Sequence, residues 1–342
     1  GDVYKRQAVA STFRFVEAFP EHDHAAVVLG DAVDDLYEMQ DYEQAIASGR
    51  RLLADFPQAT PDVQRAAWLA IAHSAFGIED YVQAEPAYAQ VLAMLPPEDE
   101  TRAAVVDNLA ASIYRQGELA SQAEDHRAAA NHFLRIAELA PSSTIRPVAE
   151  FDAGAALIRL EDWDEAVRVL DAFRESHPDH ELHGEATKQL ANVYRTQGEF
   201  ESAAVEYERI AKDSDDEAVQ REALLVAGEL YQDAEVPLRA IAVYQRYVER
   251  FPEPLDVAVE TRFELATLHE SLGDIETQHA ELRRIVSLHE QAGAARTDRT
   301  RYLAAKASLV LTEGLFDTFA EVRLTQPFEK SLQEKRQRMD AA

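Results

Sequence analysis

Apolar and small residues return along this chain with the 3.6-residue spacing of a helix face, and the helical stretches themselves return with a much longer period. In the clearest stretch, Phe151, Gly154, Ala155 and Ile158 mark the small and apolar positions of a helix over residues 148–159. Glu161-Asp162 makes a turn. A second helix begins at Trp163, carries Ala166, Val167, Val169, Leu170 and Phe173, and stops at His177-Pro178. Proline ends helices because it lacks an N–H and clashes with the preceding turn. Pro57, Pro96, Pro141 and Pro252 close other stretches in the same way.

An aromatic residue followed three positions later by alanine fixes the register. The pairs are Tyr42/Ala45, Tyr81/Ala84, Trp163/Ala166 and Phe200/Ala203; Ala129 after His126 and Ala240 after Pro237 continue the series without the aromatic. Successive alanines stand 39, 45, 37, 37 and 37 residues apart, and a degenerate copy at Ile275/Gln278 adds a step of 38. Periods of this size predict an all-α chain, a right-handed α-solenoid of about seven stacked helix pairs.

The pattern divides the chain as follows. A half unit at 8–20 precedes units at about 24–57, 61–96, 102–141, 146–178, 183–213, 219–252 and 257–290. Residues 1–7 fit no register and resemble a translated adapter junction, a non-native leader. Residues 293–342 depart from the period. Tyr302, Ala305 and Leu309 predict one long helix, and Phe316, Phe319, Val322 and Leu324 lead to Pro327; Phe328, Leu332 and Met339 return at helical spacing. Lys330, Lys335, Arg336 and Arg338 make 330–338 the one locally basic stretch, with Glu329 and Glu334 as expected partners. The expectation from both ends is an internal piece of a longer protein.

The residues resemble the tetratricopeptide repeat. That family places a small residue inside the first helix, a tyrosine three positions on, an aromatic opening the second helix, an alanine three later, a bulky residue four after that and a closing proline. Here these marks fall on Gly228, Tyr231, Ala240, Tyr244 and Pro252. In the preceding unit they fall on Ala191, Tyr194, Phe200, Ala203 and Tyr207, and earlier on Trp68, Ala72, Tyr81, Ala84, Tyr88 and Pro96. Gly117, Ala129, Phe133 and Pro141 mark the unit between. The resemblance covers roughly residues 8 to 290. It implies close helix crossings at the small residues, and core packing for Trp68, Trp163, Tyr194, Tyr207 and Tyr244.

Composition narrows the partner. The formal net charge is −29, which disfavours nucleic acid and anionic membrane surfaces and favours encounter with cations. There is no cysteine, which excludes disulfides, thiolate zinc sites and cysteine nucleophiles. No apolar run approaches a membrane span. Acidic, cysteine-free arrays of long-period units resemble bacterial cell-envelope repeat proteins, so the periplasm is favoured over the cytoplasm.

Candidate chemistry is sparse. Glu21-His22-Asp23-His24 and His177-Pro178-Asp179-His180-Glu181-Leu182-His183 look like metal clusters, but neither has His-Glu-x-x-His spacing and both lie at breaks between units. Asp213-Ser214-Asp215-Asp216-Glu217 lacks the central glycine of a calcium loop and reads as a linker feeding a helix N-terminus. No phosphate loop, dinucleotide fingerprint or nucleophile elbow is present. The sequence therefore predicts no enzyme activity, no metal and no cofactor.

What remains is the concave face that the first helices of such units line. The register places Asp31, Asp34, Glu38, Arg115, Asp152, Arg159, Lys188, Asn192, Arg195, Glu222, Glu229, Glu260, Glu264 and Glu270 there. Relatives that bind chaperone tails hold a terminal carboxylate with a clamp of Lys, Asn and Arg. Lys188 and Asn192 match that clamp, whereas Val226, Glu260 and Glu264 do not. The expected function is a non-catalytic protein-binding scaffold whose acidic groove takes a basic or amphipathic segment. The alternatives are a helical substrate-binding or regulatory portion of a larger enzyme, and an architectural array that self-assembles through its ends.

Overall fold

The computed structural model describes residues 2–341, and every regular element among them is helical. The chain divides into two compact units between residues 186 and 187. The first holds α1 (Asp2–Ala18), α2 (Ala25–Glu38), α3 (Tyr42–Asp55), α4 (Pro61–Gly77), α5 (Tyr81–Met94), α6 (Arg102–Gln122), α7 (His126–Leu139), α8 (Arg146–Arg159) and α9 (Trp163–Ser176). The division falls inside α10 (His183–Gln197). The second unit continues with α11 (Phe200–Asp213), α12 (Glu217–Asp233), α13 (Pro237–Arg250), α14 (Leu255–Ser271), α15 (Ile275–Gln291), a 3₁₀ turn at Gly293–Ala295, α16 (Asp298–Glu321) and α17 (Phe328–Ala341). Within each unit, helices adjacent in sequence pack against each other in the stacked pairs of an α-solenoid.

The turn inside most pairs uses one backbone device. Gln40, Glu79, Glu124, Glu161 and Glu235 sit at φ of 57–62°, and Gly198 and Gly273 at 77° and 75°. The left-handed residue lets the next N–H reach back over the helix end, as Asp80 N–H does to the Ala75 carbonyl at 2.9 Å and Asp162 N–H to that of Leu157 at 3.0 Å. An aspartate then opens the second helix. Asp80, Asp125 and Asp274 accept hydrogen bonds from the N–H groups of Gln83, Ala128 and Thr277.

Small side chains set the helix spacing. Ala45, Ala84, Ala129, Ala166, Ala203 and Ala240, the register alanines, are all fully buried. In α8 the fully buried positions are Ala149, Ala153 and Leu157, while Ala155 and Ile158 are half-buried. The stripe is therefore rotated by about one residue from the sequence expectation, because the neighbouring helices on both sides define the buried face. Among the expected core aromatics Tyr244 is 2% exposed, whereas Trp68, Trp163, Tyr194 and Tyr207 are half-buried, their rings reaching beyond the backbone contact. The long step of 45 residues is absorbed by α6, 21 residues long against 14 in α8.

The helices α1 and α16, outside the regular period, also join the stack. Residues 2–7 are helical and continuous with the helix expected from Ala8; Val9 and Val16 are buried, and Lys5 reaches α2. At the other end, Leu303, Ala304 and Ala307 of α16 pack into one cluster with Val259, Ala266, Leu282 and Ile285. The departure from the period at 293 is thus a change of sequence pattern and not an end to helix stacking. Among the described residues no helix is long and apolar enough to cross a membrane.

Candidate functional site

The expected groove residues fall into separate patches. On α2, Asp31, Asp34 and Glu38 share one exposed face at helical spacing. Burial, together with the charges of Asp31 and Asp35, raises the Asp34 carboxyl above the usual aspartate range. Lys5 of α1 partly offsets this patch. Its ammonium stands 3.5 Å from Asp35 and pairs with Glu38.

On α6 and α8 the polar groups meet across the helix crossing. The Tyr114 hydroxyl donates to Asp152 at 2.5 Å, and Arg115 pairs with Glu118 at 2.7 Å. Burial raises the Asp152 carboxyl, opposed by that hydrogen bond and by the Arg159 charge. Tyr114, Glu118, Phe133, Asp152 and Arg159 line a cavity of about 650 Å³. Asp152 is therefore half-buried and hydrogen-bonded, not simply presented to solvent. In the second unit Lys188, Asn192 and Arg195 lie on one exposed face of α10.

Carboxylates also gather on α12 and α14. Glu222 and Glu229 are exposed on α12, and Glu264 on α14 is half-buried. Burial first, and then the charges of Glu260 and Glu229, raise the Glu264 carboxyl, with Lys306 and Arg299 acting in the opposite sense. Glu260 itself is engaged in an ion pair with Arg299 of α16. Lys306 lies over the Phe263 ring, 4.5 Å from its centroid. Beneath this face Gln232 Nε2 donates to the Tyr244 hydroxyl at 2.8 Å. Glu270 is exposed at the end of α14.

Sequence reading missed Tyr114, Glu118, Arg299 and Lys306 as parts of these patches. Tyr114 and Asp152 stand about one period apart, a signal that could have paired them. Arg299 and Lys306 lie in the stretch outside the period, where no register pointed to α14. The histidine clusters serve local packing. His22 sits edge-on to Phe15 at 5.3 Å, and His177 Nε2 is 2.9 Å from Glu150. Asp216 of the acidic linker accepts from the Ala218 N–H at 2.8 Å as the N-cap of α12. Among the described residues no group of three or more His, Cys, Asp or Glu is arranged to hold a metal ion.

Residues 151–219, from α8 to the start of α12, match the tetratricopeptide repeat family model. The chain is also similar to several solved structures at low identity. It is 17% identical to a chain of Naa15/Naa10 bound to HypK-THB, with a TM-score of 0.39 over 93% of this chain and 48% of that one, so it spans about half of that chain's length. A tetratricopeptide repeat protein from Parabacteroides merdae is 14% identical, with a TM-score of 0.28, over 75% of this chain and 96% of its own. Yeast Tom70 is 13% identical, with a TM-score of 0.30, over 92% and 68%. No curated protein matches the sequence. The tetratricopeptide repeat match thus falls on residues 151–219, and the same left-handed turn closes the helix pairs on either side of that stretch.

Proposed function

We propose that the chain is a non-catalytic scaffold that binds another protein through the acidic face of α12 and α14, and that the segment it takes is basic or amphipathic. The observation that carries this reading is half-buried Glu264 among other acidic groups, its carboxyl raised by burial first and then by the charges of Glu260 and Glu229. A half-buried carboxylate among like charges gains from a bound ammonium or guanidinium, which favours its charged form. The α2 face, with Asp31, Asp34 and Asp35, offers a second patch of the same character. Glu260 contributes less than its charge suggests, since Arg299 already engages it.

The test is fluorescence anisotropy with a labelled Lys/Arg-rich peptide, titrated with the protein and with a variant carrying Glu222→Lys, Glu229→Lys and Glu264→Lys. Binding should weaken as salt rises and the screening length falls below about 8 Å. It should be lost in the variant. Equal affinity for the wild-type protein and the reversed-charge variant would sink the proposal.

A further inference from the structure

One cavity of the first unit holds two opposite charges that do not meet. Asp152 and Arg159 of α8 both line the space of about 650 Å³ that they share with Tyr114 and Glu118 of α6 and with His126 and Phe133 of α7. They stand seven residues apart, so they lie on one face of the helix, about 10.5 Å apart along its axis. Long side chains on a helix lean toward its N-terminus, which carries the Arg159 guanidinium back toward Asp152. The Arg159 charge acts on the Asp152 carboxyl, yet among the described residues Arg159 makes no ion pair or hydrogen bond. Glu118, by contrast, is already paired with Arg115 at 2.7 Å.

Asp152 is held in place with half of its carboxylate to spare. Its Oδ2 accepts the Tyr114 hydroxyl at 2.5 Å, and its Oδ1 has no partner among the described residues. A carboxylate can accept on both oxygens, so Oδ1 can take a donor without disturbing Tyr114. The Tyr114 ring lies against that of Phe133, 5.1 Å between centroids, which gives the cavity an apolar wall. Nδ1 of His126 is buried without a hydrogen-bond partner among the described residues. A buried polar atom left unpaired costs free energy until a partner meets it.

A cation alone would satisfy Asp152 and be repelled by Arg159, and an anion alone would do the reverse. A ligand that carries both charges satisfies both residues. An apolar group beside those charges would meet Tyr114 and Phe133, and the volume lies in the range that small ligands occupy. We propose that this cavity binds a free α-amino acid. Its ammonium donates to Asp152 Oδ1, its carboxylate accepts hydrogen bonds from the Arg159 guanidinium, and its side chain lies toward Phe133. The cavity belongs to the first unit and shares no residue with the face of α12 and α14, so this site and the protein-binding face stand or fall separately.

Thermal unfolding of the full chain with each standard L-amino acid, taken singly, finds the preferred side chain, since a ligand of the folded state raises the unfolding temperature. Titration calorimetry with that amino acid then measures its affinity, and saturable binding is expected. Its N-acetyl derivative lacks the ammonium and its amide lacks the carboxylate, so each should bind about tenfold or more weaker. Arg159→Gln changes an exposed side chain, and Asp152→Asn keeps an acceptor for Tyr114. Both variants should keep the far-ultraviolet circular dichroism of the wild type and lose affinity by a similar factor. The variant with Glu222→Lys, Glu229→Lys and Glu264→Lys should bind the amino acid as the wild type does. No saturable binding by any amino acid overturns the proposal. So does affinity that survives Arg159→Gln and Asp152→Asn, and so does equal binding of the N-acetyl and amide derivatives. Binding of trialanine with a free amino terminus, where no free amino acid binds, overturns it too.

Discussion

Gly228 of α12 lies directly against the ring of Tyr244 of α13. A β-carbon placed on Gly228 would stand 2.5 Å from Tyr244 Cζ and 2.7 Å from its Cδ1, inside any allowed contact. The two residues are 16 apart, and the same separation joins Gly117 to Phe133 and Gly154 to Leu170, each with a β-carbon clash at 2.5 Å. Ala72 and Tyr88, and Ala266 and Leu282, repeat it with alanine as the small member, all four buried. Each pair thus locks a first helix to its second by letting one bulky side chain lie on bare backbone.

Gly228→Ala forces the Tyr244 ring out of its place and breaks the Gln232–Tyr244 hydrogen bond. The expected cost is about 1–3 kcal/mol in urea unfolding. Gly184→Ala serves as a control, because a β-carbon there meets nothing within 4 Å. It should be neutral or stabilising by up to about 1 kcal/mol.

Ala203 is fully buried at the start of α11 among Ala204, Ala223 and Ala227. Ala203→Leu adds volume that this small-residue crossing cannot take, and should cost about 1–3 kcal/mol. Thermal unfolding indistinguishable from wild type would show that the crossing has slack.

The turn residues give a prediction of opposite sign. Glu161 holds φ of 58°, where a β-carbon costs about 1 kcal/mol or more. Glu161→Gly should therefore raise the unfolding free energy, less the added entropy of a flexible unfolded chain. Gly198, at φ of 77°, should lose stability on Gly198→Ala. The pair of variants, compared in one denaturant series, checks the turn geometry by the sign of each change.

Glu264 gives a pH dependence. Its folded-state carboxyl is raised above the usual glutamate range by burial and by the charges of Glu260 and Glu229. The folded state therefore binds the proton more tightly than the unfolded chain. The destabilisation from ionising Glu264 is absent below the unfolded value and fully present above the folded one. Glu264→Gln should raise stability at neutral pH, and the gain should vanish as the pH falls below about 4.5, measured by unfolding at a series of pH values. A gain that persists unchanged in acid would show that the effect is not ionisation.

The sequence alone determined the helix pairs. Proline stops, aspartate openings and the Ala45-to-Ala240 register are local signals, written in residues that can adopt few other conformations, and the helices begin and end where these stand. The 16-residue partnership of Gly228 with Tyr244 was half legible, since both members were marked while their contact was not. Tertiary structure decided the rest. Which face of α8 is buried depends on both neighbouring helices, which put Ala153 and Leu157 inside where local spacing pointed to Ala155 and Ile158. A carboxylate's fate likewise depends on what is brought beside it. Glu260, Glu264 and Asp152 look alike in sequence, yet one is paired to Arg299, one is buried beside like charges and one accepts a hydrogen bond from Tyr114. Those partners lie on other helices, up to 39 residues away in the chain, and only the packing of one helix on another brings them together.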